Sequence, residues 1–154
     1  MAIKDNLIKI AMALFAMLLF SCDMTSSVNP SKAEDVAKAF AENYFNLRYK
    51  NSTKYCTQES EKWISFAASQ ITKEDIELLH GLEEEASVEV DDVSGDDTEC
   101  HATVKVTNYF EMDTIGKAGH VVNEGRFDIT LVKEGNTWKV RMEGLPRSER
   151  QSHD

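Results

Sequence analysis

Little in this 154-residue chain suits a metal, a phosphate or a nucleophile. It has three cysteines and four histidines. None of them falls in a CxxC, Cys/His or HExxH spacing, so no zinc site is expected. The IGKAGH stretch around Gly116 and Gly119 has neither the spacing of a phosphate loop nor a following helix. Positive charge is scarce, with 17 Lys and Arg against 27 Asp and Glu and a formal charge of −10. A surface this acidic repels phosphate backbones and anionic headgroups, which excludes nucleic acid as a partner. The acidic clusters Glu83–Glu85, Asp91-Asp92 and Asp96-Asp97 lack the alternating oxygen ligands of a calcium loop and read as solvated turns. No metal or other cofactor is expected. Long hydrophobic runs are also missing, with one exception near the start.

That exception is Ile10–Cys22, IAMALFAMLLFSC, preceded by Lys4 and Lys9 and followed by a polar Ser/Thr segment. A basic start, an apolar core and a terminal small residue form the three-part export pattern. The core, Ile10–Phe20, is about 11 residues, short of the roughly 20 that cross a bilayer as a helix. Leu19-Phe20-Ser21-Cys22 resembles a bacterial lipobox of the Bacteroides type, in which the cysteine takes a diacylglycerol and becomes the new N-terminus. The expected division is a signal peptide at 1–21, a lipidated Cys22 with a short tether at 22–29, one domain at 30–145 and a polar tail at 146–154. The tether Asp23–Asn29, fully extended, reaches about 25 Å. Address and anchoring follow as expectations: the cell envelope, lipid-anchored at the periplasmic face or the outer membrane, with palmitate among the acyl groups. With Cys22 acylated, Cys56 and Cys100 remain, as two buried thiols or, alternatively, as a disulfide that export permits.

Beyond Pro30 the apolar spacing is helical. Ser31 and Glu34 make a capping box, and Val36, Phe40, Tyr44 and Leu47 recur along a helix expected over 33–49. Thr57 is an N-cap for a helix whose inner face holds Trp63, Phe66, Ala67, Gln70 and Ile71. Thr72 with Asp75 opens a further short helix, with Ile76 and Leu79 inward and Gly81 at its end. The period then switches to two. Strands are expected over 86–90, 98–111, 126–132 and 137–142, with a long connection at 113–124 and turns at 94–97 and 133–136. On the second strand Cys100, Ala102, Val104, Val106, Asn108 and Phe110 share one face, leaving Tyr109 on the other. Phe127, Ile129 and Leu131 face inward on the third strand, and Trp138, Val140 and Met142 on the last.

Helices first and an antiparallel sheet afterwards give an α+β fold, a long helix packed on a curved sheet. The element order, with the ending F-D-I-T-L-V-K-E-G-N-T-W-K-V, resembles the nuclear transport factor two-like superfamily, whose lumazine-binding-like lipoprotein branch is similar over roughly 30–145. The resemblance implies a cone-shaped, cystatin-like arrangement with a pocket between the helices and the concave face of the sheet. Tyr44, Trp63, Asn108, Phe127 and Trp138 are the candidate pocket residues. His80, His101, His120 and His153 read as surface groups, and no Asp, Glu or His falls in the apolar phase of a strand, so no catalytic constellation is found. The expected function is a non-enzymatic, lipid-anchored binding or interaction domain. One alternative is a ketosteroid-isomerase-like enzyme working around Tyr44 and Asn108. Another is an assembly or protective subunit bound to an envelope protein, with Tyr109 and Val132 as its exposed apolar surface.

Overall fold

A computed structural model describes residues 29, 31–113 and 117–149. The signal, Cys22 and most of the tether lie outside the described residues. Among the described residues four α-helices precede four strands: α1 Ala33–Phe45, α2 Tyr49–Ser52, α3 Glu61–Gln70, α4 Lys73–His80, then β1 Ser87–Gly95, β2 Glu99–Glu111, β3 His120–Glu134 and β4 Thr137–Arg141. The strands form one antiparallel meander in the order β1-β2-β3-β4. The α+β class expected from the sequence is the one observed.

Helix α1 buries Val36, Ala37, Phe40, Ala41 and Tyr44, the stripe that a 3.6-residue period lays on one face. Its start differs from expectation. Ser31 donates its N–H and hydroxyl to Asn29 Oδ1, at 3.1 and 2.7 Å, so Lys32 is the N-cap and the Ser31–Glu34 box does not form. The helix also ends four residues early. Leu47 takes the left-handed region at φ 56°, and the N–H of Arg48 returns to Asn43 O at 2.8 Å. That turn satisfies the last carbonyls and sends the chain into α2.

Short 3₁₀ turns at Thr53–Tyr55 and Gln58–Ser60 lead to α3. They are fastened to β4: Thr57 N–H donates to Val140 O at 3.0 Å, and Met142 N–H to Ser60 Oγ at 2.8 Å. Helix α3 buries Ile64 and Ala67 rather than Phe66, which is half exposed. At α4 the capping box forms as expected, with Thr72 and Asp75 bonding each other's backbone N–H. Its inward residue is Asp75, while Ile76 and Leu78 are exposed.

Strands β1 and β3 outrun their expected ranges, and β3 takes up the second part of the expected 113–124 connection. Two corrections shape the sheet. The first is at Asn108, whose φ of 55° interrupts the pleat while the register with β3 is unchanged on either side, Thr107 opposite Glu124 and Tyr109 opposite Val122. Asn108 therefore leaves the core face and donates Nδ2–H to Glu84 O at 2.7 Å. Tyr109, expected outside, turns inward and is 3% exposed. Gly125 makes this possible, because a Cβ there would press into the Tyr109 ring and hydroxyl. Val132 is only half exposed, so neither residue of the expected apolar surface is on offer.

The second correction is the tail. Residues 143–149 fold back along β3, where Ser148 bridges Phe127 and Glu149 N–H donates to Arg126 O at 3.1 Å. Strand β4 pairs only with 130–134, so this return covers part of the β3 edge that β4 leaves bare.

The core lies between α1 and the sheet: Val36, Phe40 and Ala41 against Ala102, Val104, Val106, Ile129, Leu131 and Val140. Cys56 and Cys100 are buried free thiols. Cys56 pairs with Val140, Val140 with Leu131 and Leu131 with Cys100. Three strand spacings, about 14 Å, thus separate thiols that a disulfide would need within about 7 Å at Cα. The alternative of a bridge is excluded in this fold. Burial pushes the Cys56 thiol up to about 12, so it stays protonated.

Candidate functional site

A cavity of about 1080 Å³ opens where the helices diverge from the sheet. Its floor is aromatic. Tyr44 and Phe45 come from the last turn of α1, Tyr49 from α2, Tyr109 and Phe110 from the end of β2, and Phe127 from β3. All of these rings but Phe110 form one connected set: Tyr44 meets Phe45 edge-on at 5.3 Å and Tyr49 at 5.4 Å, while Phe45 meets Phe127 at 4.5 Å and Tyr109 at 5.6 Å. Tyr109 closes the set against Phe127 at 5.2 Å. Such edge-to-face pairs add about 0.5–1.5 kcal/mol each beyond the area they bury. Trp63 and Phe66 of α3 form the outer wall, and Leu145, Pro146 and Arg147 of the returning tail form the opposite lip.

The phenols of buried Tyr44 and partly buried Tyr49 contribute to the floor's polar character. Desolvation by burial raises the Tyr44 hydroxyl well above the ordinary tyrosine range, with smaller contributions from Tyr49 and Cys56, and burial alone raises Tyr49. Both are neutral at any physiological pH and act as hydrogen-bonding groups, not as bases.

Asp75 is the most buried carboxylate of the wall, at 3% exposure. Its carboxylate accepts from Thr72 N–H at 2.8 Å and from Gly119 N–H at 2.9 Å, while Thr72 Oγ1 accepts from Asp75 N–H at 3.2 Å. Burial acts to raise its pKa, but the bonds from Thr72 and Gly119 outweigh it and hold the group below the ordinary carboxylate value. Asp75 thus clips α4 to the segment that enters β3. Gly119 is packed so closely on the Phe110 ring that a Cβ there would collide with it.

Of the residues nominated from the sequence, the fold brings Tyr44, Trp63 and Phe127 to the cavity and leaves two elsewhere. Asn108 is turned out to Glu84 by its backbone. Trp138 lies in the main core, 8% exposed, with Lys133 Nζ 5.5 Å from its ring centre. Tyr109, Asp75 and the tail residues were not nominated. Asp75 stood in the sequence as a capping residue, and only the approach of Gly119 puts it in a cavity wall. No group of His, Cys, Asp and Glu that could hold a metal ion occurs among the described residues. Within the same residues no helix is long and apolar enough to cross a membrane.

No protein-family model matches the chain, and no curated protein matches it. Among solved structures the chain is similar to an "Ntf2 like protein involved in plasmid conjugation", at 13% identity and a TM-score of 0.34. The similarity covers 75% of this chain and 47% of the other, so the chain spans about half that protein's length.

Proposed function

We propose that the chain is a lipid-anchored protein of the cell envelope whose single domain holds a small ligand without transforming it. The observation that carries the binding part is the cavity: about 1080 Å³, floored by connected aromatic rings and edged by a few polar groups. That is the make-up of a site that gains affinity from apolar burial and orientation from sparse hydrogen bonds. The anchoring part rests on the basic flank, the apolar core and Cys22.

The ketosteroid-isomerase-like alternative relies on Tyr44 with Asn108, whereas Asn108 donates to Glu84 O and does not line the cavity. Asp75, which could stand in for Asn108, has its oxygens engaged by Thr72 and Gly119. The assembly-subunit alternative keeps one supporting feature, the exposed Ile76 and Leu78 on α4.

Native mass spectrometry of the protein purified from its own host tests the binding reading. The expected spectrum carries a non-covalent mass above that of the polypeptide. Trp63→Ala removes that mass, because Trp63 walls the cavity. Trp138→Ala costs about 3–5 kcal/mol in stability, as truncating a buried aromatic does, but keeps the ligand while the fold persists. Loss of the mass only in the Trp138 variant would put the ligand in the wrong place.

A further inference from the structure

The cavity's walls and its rim differ in chemistry. Inward lie the rings of Tyr44, Phe45, Tyr109 and Phe127. The ionisable groups lining the cavity are four acids, Asp75, Glu111, Asp113 and Glu143, against two bases, Lys117 and Arg147. Lys62, 5.4 Å from the centre of the Trp63 ring, and Arg141, 3.7 Å from Glu143, add positive charge on the α3 and tail sides, which leaves Asp75, Glu111 and Asp113 against Lys117 at the β2–α4 end. The hydrogen bonds from Thr72 and Gly119 favour the charged form of Asp75 and outweigh the opposing effect of burial. The whole chain adds its own negative field, at −10. A charged head group entering here meets a potential that attracts cations and repels anions, focused by the low-dielectric walls. The aromatic faces act in the same direction, since a ring quadrupole attracts a cation over its face.

Resting on the reading of this cavity as a binding site, we infer that its ligand class is the amphiphilic cation: an aryl or alkyl body carrying an ammonium head. The body fills the aromatic floor and the head stays at the rim between β2 and the α4 end. Fatty acids, phosphates and sulfonates are disfavoured at the same place.

A matched set of probes tests this: 1-naphthylmethyl-trimethylammonium, 1-naphthalenemethanol and 1-naphthalenesulfonate, which share a ring system and differ in charge. Equilibrium dialysis uses the full chain reconstituted in neutral phosphatidylcholine vesicles, with protein-free vesicles as the blank. At low salt the ammonium binds about tenfold or more tighter than the sulfonate, with the alcohol between them. The gap narrows as salt shortens the screening length. The double variant Glu111→Gln, Asp113→Asn lowers the ammonium-to-sulfonate ratio at least about threefold. The alcohol's affinity reports whether the fold survived that change. Trp63→Ala weakens all three probes. Sulfonate binding as tightly as ammonium overturns the inference and leaves the cavity a binding site. Binding of none of the three above the blank, or binding indifferent to Trp63, overturns both.

Discussion

Asn108 decides which side chains form the cavity. Strict alternation along β2 is legible from Cys100 to Val106, because each apolar residue there meets the core that α1 provides. It fails at the next step for a backbone reason. A φ of 55° is open to asparagine and glycine but costly for most other residues, and no periodicity reports it. Asn108→Gly is expected to stay within about 1 kcal/mol of the parent, since it accepts the backbone and loses one hydrogen bond. Asn108→Val adds a strained β-branched residue and is expected to cost about 2–4 kcal/mol. Urea denaturation of the two variants checks this, and equal stability would mean that the turn at 108 carries no strain. Asp75 gives a second prediction, in pH. Its folded pKa is lowered, so the unfolded chain binds more protons in the interval below about 4. The stability it contributes is fully present above the unfolded value and is lost as pH falls through the folded one. Asp75→Asn is therefore less stable at pH 7 but flatter than the parent as pH falls below about 4. Asp96, held at about 2 by the hydroxyl and N–H of Thr98 and the N–H of Glu99, keeps a separate acid dependence in both proteins. Parallel acid limbs in the two would remove Asp75 from the account.

At the level of elements, the order of helices and strands was legible and the facing of the helices only partly so. On α1 the stripe is wide and α1 crosses the whole sheet, so any reading of the period finds the buried face. Helix α3 is different, because it packs through Ile64 and Ala67 and lays Trp63 and Phe66 along the cavity. An apolar residue lining a cavity obeys the same period as one in a core, so the sequence does not separate the two roles. The return of the tail leaves no sequence signal for a complementary reason. Residues 147–149 are polar and resemble a solvated end, yet Ser148 and Glu149 pair with the β3 edge through their backbone, and a backbone hydrogen bond leaves no trace in side-chain chemistry. Hydrogen exchange distinguishes the two descriptions. The Glu149 amide, which donates to Arg126 O at 3.1 Å, is expected to exchange about tenfold or more slower than an unstructured amide. Exchange at the unstructured rate would detach the tail and remove one lip of the cavity.

For the molecule as a whole, charge and burial point to different kinds of attachment. A chain of −10 gains nothing from anionic headgroups, and no helix among the described residues can span a bilayer. On the proposed reading, attachment to a membrane comes instead from acylation at Cys22. Each buried methylene adds about 0.8 kcal/mol, so two acyl chains hold a domain this size stably, whereas an electrostatic hold would dissolve in salt. The parent protein is expected to take up labelled palmitate and to stay with sedimented envelopes through a wash in about 1 M salt. Its intact mass should lack residues 1–21. Cys22→Ala is expected to take up no label and to keep the mass of all 154 residues. Sedimentation alone cannot separate these cases, because an uncut Ile10–Phe20 core can itself hold to a bilayer. Label and mass together do: equal labelling of the two proteins, or a parent that still begins at Met1, would leave the acidic body with no anchor at residue 22.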